Sequence, residues 1–149
     1  MKKIIFINYH PVDSQIVRFV ARKLIDNGYV IKFLFLEKEG VIERIIKKDG
    51  FNYKKVGTIK QSKFGKIISS IRLETKLLFE IIKFRPNVIF SPSSIYSGIV
   101  SKLLGIPLIC WADTETAIVN LKTSLPFINS LLTPNSFNLE IKDKEFLVL

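Results

Sequence analysis

Residues 106–120 read IPLICWADTETAIVN, and within them two carboxylates, Asp113 and Glu115, flank Thr114 directly after an apolar run. An acid pair in such a place can accept hydrogen bonds from sugar hydroxyls, or one member can act as a general base. A structural reading competes with this one. Asp113 or Thr114 can cap a helix that starts there, and an acid in the first turn is favoured by the helix dipole. Capping accounts for one carboxylate more readily than for two.

Two further polar stretches invite the same question. NYHPVDSQ holds His10, the only histidine, together with Asn8, Pro11, Asp13 and Ser14. An imidazole titrates near neutral pH and can give or take a proton, while Ser14 or Asp13 can cap a following helix and leave its amides for an anion. A solvated loop histidine is the plain alternative. SPSSIYS supplies the hydroxyls of Ser91, Ser93, Ser94, Tyr96 and Ser97. Ser93 or Ser94 is placed to cap a helix starting near Ile95, and the same hydroxyls and helix amides can bind a sugar or a phosphate.

Counting removes other chemistries. One cysteine and one histidine cannot build a zinc cluster, and there is no Walker loop, no GxSxG elbow and no GxGxxG turn. Neither a metal nor a nicotinamide or flavin cofactor is expected. Cys110, inside LICWA, reads as a buried inert thiol and leaves no internal disulfide.

The elements that must position these residues alternate. KKIIFINY is a β-branched and aromatic run typical of a buried strand. Ile16, Val17, Val20, Ala21, Leu24 and Ile25 then recur at helical spacing up to a stop at Asn27-Gly28. YVIKFLFLE is a second strand, a short helix carries Val41, Ile42, Ile45 and Ile46 to Gly50, and FNYKKV is a third strand. A long helix follows, with a stripe through Phe64, Ile67, Ile68, Ile71, Leu78 and Ile82, widened by Leu73, Leu77 and Ile81, and ended by Pro86. NVIFS is a fourth strand, a helix runs to Gly105, IPLICWA is a fifth strand, a helix covers about 114–124, and NSLLT is a sixth strand. Strands separated by helices, each strand a continuous apolar run, predict an α/β, Rossmann-like doubly wound parallel sheet of about six strands. Ligands of such sheets gather outside the carboxyl ends of the strands, where all three polar stretches fall, so they are expected along one rim. The last stretch ends in EFLVL, an apolar run with no partner element after it.

At 149 residues, 48% hydrophobic and 24% charged, the chain has the size and composition of one ordinary folded domain. The formal charge of +10 is concentrated: residues 54–85 hold nine Lys or Arg against Glu74 and Glu80. A segment of this kind can meet anionic lipid headgroups, nucleic acid or phosphorylated substrates, or can be no more than a lysine-rich solvated helix face. Nothing beyond charge supports nucleic acid. MKKIIFINYH imitates a signal peptide, but its apolar run breaks at Asn8, and no run reaches the roughly 18 residues of a bilayer span. A cytoplasmic chain is expected, with peripheral contact at the inner face of the membrane as an option.

The order KKIIFINYHPVD, LIDNGYVIKFL, KFRPNVIFSPSS, LLGIPLICWADTE and SLLTPNSF resembles a largely archaeal family of uncharacterised proteins related to UDP-N-acetylglucosamine 2-epimerases and GT-B glycosyltransferases. GIPLICWADTE is the most specific element, and SPSS stands where that family often carries a His-Gly pair. The resemblance spans residues 1–138. It implies a GT-B N-terminal domain that shapes the acceptor side of a two-domain enzyme, with residues 139–149 a tail leading toward a missing C-terminal domain. By that resemblance Asp113, Thr114 and Glu115 face the active-site cleft, His10 and Pro11 fall in the loop after the first strand, and the partners are a sugar nucleotide or glycan acceptor and a separate chain carrying the C-terminal domain. The implied activity is that of a glycosyltransferase or UDP-sugar 2-epimerase, inactive without its second half. The basic helix of residues 62–85 would then hold the protein against a membrane carrying a lipid-linked acceptor. The alternative is a non-catalytic α/β module that binds a nucleotide or phosphorylated ligand.

Overall fold

The computed structural model describes residues 2–37, 39–58, 63–112, 118–134 and 146–148. The chain forms two compact units, Met1–Asn87 and Val88–Leu149.

In the first unit, β1 (Lys3–Asn8), β2 (Val30–Leu36) and β3 (Tyr53–Gly57) are parallel, in the order β3-β2-β1. Parallel neighbours need crossover connections, and α1 (Pro11–Asp26) and α2 (Val41–Lys48) supply them. Ile5, Phe6 and Ile7 of β1 and Leu34 and Phe35 of β2 are buried to within 1% of completely, as in a sheet covered on both faces. Phe6 and Phe33 stack across β1 and β2 with ring centroids 5.2 Å apart.

The helices bury narrower faces than their apolar spacing suggests. On α1 Val17 and Ala21 are buried, whereas Ile16 and Val20 are 41% and 45% exposed. The helix therefore rests on a seam through Ser14, Val17 and Ala21, with Leu24 and Ile25 half-buried, while Ile16 and Val20 of the expected stripe face out. The long helix α3 (Lys63–Phe84) buries Leu77 and Ile81, not Leu78 and Ile82; Leu78 is half-buried and Ile82 is 49% exposed. Leu73, one turn earlier on the same line, lies against Gly57 of β3, where an added Cβ would come within 2.6 Å of its Cδ2. That close approach fixes which line of α3 faces the sheet. The side chains of residues 63–71 lie outside the description, so the stripe through Phe64, Ile67, Ile68 and Ile71 is not placed.

In the second unit, β4 (Val88–Pro92), β5 (Leu108–Trp111), β6 (Ser130–Thr133) and β7 (Phe146–Val148) are parallel, in that order. The helices are α4 (Ile95–Leu104) and α5 (Ile118–Ser124), the latter continuing into a 3-10 turn at Leu125–Phe127. Gly105 closes α4 in the left-handed conformation, with φ of 63°. Inside α4, Gly98 meets Phe127: an added Cβ would lie 2.8 to 2.9 Å from Cδ2, Cβ and Cγ of that ring. The apolar stretch at Phe146–Val148 pairs with β6 and extends the sheet beside it. The fold is α/β and Rossmann-like, and the described residues form six parallel strands as expected, with this short seventh added. Among the described residues no helix is long and apolar enough to cross a membrane.

Candidate functional site

The turn after β1 is built from residues 8–14. Asn8 ends the strand fully buried, and its amide nitrogen donates to Ser14 Oγ at 2.8 Å. Its Oδ1 is buried with no hydrogen-bond partner among the described residues. His10 is the N-cap of α1: Nδ1 accepts from the amide of Val12 at 3.4 Å, which in the neutral ring leaves the proton on Nε2. Pro11 opens the helix, at a position where a missing amide is not missed. Asp13 completes the box, and its Oδ2 accepts the amides of Tyr9 and His10 at 2.8 and 2.7 Å. The helix entrance thus already holds an internal carboxylate in the place where an anion was expected. Ser14 does not cap the helix; it lies inside α1, 1% exposed, and holds Asn8.

The turn after β4 is equally occupied. Ser94 is the N-cap of α4 and accepts the amide of Tyr96 at 3.3 Å. Ser91 Oγ donates to the carbonyl of Pro92 at 2.9 Å and lies 3.1 Å from Ser97 Oγ, which donates to the carbonyl of Ser94 at 3.0 Å. Ser91 and Ser97 are completely buried, so their hydroxyls brace the turn from within. Ser93 is only half-buried, and its amide and hydroxyl both reach the carbonyl of Trp111, at 3.2 and 3.4 Å. This contact ties the turn after β4 to the end of β5, two residues in sequence before Asp113.

Asp113, Thr114 and Glu115 lie outside the described residues. Cys110 is buried on β5, and burial pushes its thiol up to about 12, which removes it as a nucleophile near neutral pH.

One structural acid escaped the sequence reading. Glu37, just past the end of β2 and 7% exposed, accepts the amides of Ile42 and Glu43 and so caps α2. The formal cap, Gly40, has a φ of 75° and no side chain to do this. An acid a few residues ahead of a glycine-led helix was the available signal. A carboxylate at the end of a second strand is a place where dinucleotide folds hold a ribose, and here the group is spent on the helix.

The fold recurs in solved structures. MurG of Acinetobacter baumannii superposes with a TM-score of 0.73 at 12% identity, covering 99% of this chain and 45% of that one. The spinosyn rhamnosyltransferase SpnG, complexed with thymidine diphosphate, gives 0.72 at 11%, covering 99% and 49%. The UDP-GlcNAc 2-epimerase of Neisseria meningitidis, bound to UDP-GlcNAc, gives 0.69 at 9%, covering 88% and 40%. This chain therefore spans less than half the length of each of these three proteins, and identities so low establish the fold alone. No curated protein sequence matches the chain. With residues 10–146 of its 149 matched, the chain belongs to the family described as "Protein of unknown function (DUF354)".

Proposed function

We propose that the chain is the acceptor-side, N-terminal half of a GT-B-like glycosyltransferase or sugar-nucleotide epimerase, acting with a C-terminal half that supplies most contacts to the sugar nucleotide. The observation that carries this reading is the pattern of coverage: nearly all of this chain superposes on less than half of two glycosyltransferase chains. The placement of the polar turns supports it. Residues 9–14 follow β1 and residues 93–97 follow β4, at the carboxyl ends of parallel strands, where α/β folds take their ligands.

In this reading Asp113 and Glu115 orient acceptor hydroxyls or take a proton, and Thr114 adds a hydroxyl beside them. Ser93, half-buried and held against Trp111, offers the surface hydroxyl of its turn. Ser91 and Ser94 contribute by fixing that turn. In the first turn His10 is the acid or base, presenting Nε2–H to solvent while Nδ1 faces the helix; Asn8, Pro11 and Ser14 set its position. The protein works inside the cell, and its basic segment holds it at an anionic membrane.

The test is ligand-observed NMR with UDP and UDP-GlcNAc, on the wild type and on Asp113→Asn/Glu115→Gln. Saturation transfer to the ligand, reduced at least several-fold in the double variant, is the expected result. Equal transfer in both proteins would return the triplet to helix capping and favour a non-catalytic binding module. No transfer in either would remove the sugar-nucleotide contacts assigned to this half.

A further inference from the structure

The exposed face of α3 combines large apolar and cationic side chains. Arg72, Thr75, Lys76, Phe79, Ile82 and Lys83 follow one another at helical spacing along it, and each is exposed. Phe79 is 66% exposed and Ile82 49%. Two large apolar side chains thus occupy the middle of a face whose two ends are cationic. Beside it, Lys54 and Lys55 of β3, both exposed, join Thr75, Lys76 and Phe79 around a groove of about 510 Å³. Glu80, the one acid among the described residues of that groove, is neutralised by Lys32, whose Nζ lies 2.7 Å from Oε2. Lys54 and Lys55 alone have an ordinary explanation, since lysines on an edge strand discourage pairing with other chains. That explanation does not reach Phe79, a largely exposed aromatic ring carried by the helix and not by the strand.

We propose that this β3–α3 face is a docking surface for an anionic bilayer, with Phe79 and Ile82 entering the headgroup boundary and the groove at Lys54, Lys55 and Lys76 taking a lipid phosphate. An apolar centre ringed by lysine and arginine is the arrangement by which helices lie in a membrane interface, where buried apolar area and attraction to anionic lipid add. This deepens the membrane element of the proposed function and rests on that reading only for the identity of the acceptor. The vesicle experiment and the UDP titration are read separately, so either can fail alone.

The experiment is co-sedimentation with vesicles of phosphatidylcholine containing 30% phosphatidylglycerol, against pure phosphatidylcholine, using wild type, Lys54→Glu/Lys55→Glu and Phe79→Ser. The substituted side chains are exposed, and circular dichroism checks that each variant is folded. Wild type is expected to sediment with the anionic vesicles only, and to be released as salt rises. Each cation near such a surface adds roughly fivefold to partitioning, so the double charge reversal should lower binding by at least about 25-fold. Phe79→Ser should lower it about tenfold while leaving the salt dependence in place. Equal binding to both vesicle types, or variants that bind as wild type does, would overturn the proposal. Release by millimolar glycerol phosphate at constant ionic strength would also overturn it, by showing that the groove serves a free phosphate compound.

Discussion

Asp13 offers the sharpest test of how the first turn is held. Its carboxylate is 9% exposed, and a single oxygen, Oδ2, receives the amides of both Tyr9 and His10 at 2.8 and 2.7 Å. Replacing Asp13 with alanine removes both hydrogen bonds at once. Bonds to a charged group are worth about 1.5 to 3 kcal/mol each when nothing replaces them, and helix caps about 1 kcal/mol. Water can reach part of this turn, so the expected loss is about 2 to 3 kcal/mol in all. Asparagine behaves differently because both amides converge on one oxygen, which its carbonyl can mimic. Asp13→Asn gives up only the charge at the helix entrance, about 0.5 kcal/mol. Urea unfolding at pH 7, followed by circular dichroism, separates the two outcomes. If Asn and Ala destabilise equally, charge and not hydrogen bonding secures the turn. If Ala costs less than about 0.5 kcal/mol, the cap is not formed in solution.

Two further outcomes follow from packing and charge. Gly98→Ala should gain about 1 kcal/mol of helix propensity and lose about 1 to 3 through overlap with Phe127, for a net loss of up to about 2 kcal/mol by urea unfolding; a variant more stable than wild type would contradict the close approach of α4 to the 3-10 turn. The hydrogen bond from Lys32 holds the Glu80 carboxyl below the usual range, with Lys54 and Lys83 adding to the effect against the opposing influence of burial. A depressed folded value means the stabilisation is present above the unfolded value of about 4.3 and fades as pH falls through the lower folded one. Glu80→Gln should therefore cost about 1 to 2 kcal/mol at pH 7 and progressively less below pH 4, and a difference independent of pH would refute the pairing.

The strands were legible because β-branched and aromatic runs such as KIIFIN and VIKFLFL have few other uses. Helical periodicity marked the right helices and the wrong boundaries between inside and outside. Spacing names the apolar candidates, but Leu73 against Gly57 decides that Leu77 and Ile81 turn inward and Ile82 outward, and that contact joins residues sixteen positions apart. Phe146–Val148 was not readable as a strand, since three residues carry too little pattern and their order comes from β6. At the candidate site, Ser94 was foreseen as a cap, while the N-cap position fell to His10 because the helix starts ahead of Asp13, which closes the capping box from the first turn, and Ser14 takes no part in it. Glu37 was hidden for a similar reason: it caps from outside the helix, across a glycine that bends the chain back.

The sealed position of Cys110 has a practical side. With the protein's only thiol shut inside β5, the natural sequence is already a silent background for site-directed probes. A cysteine introduced at an outward position such as Leu103 or Phe19 would be the sole reactive sulfur on the folded chain, ready for a spin label or fluorophore without prior removal of the native one.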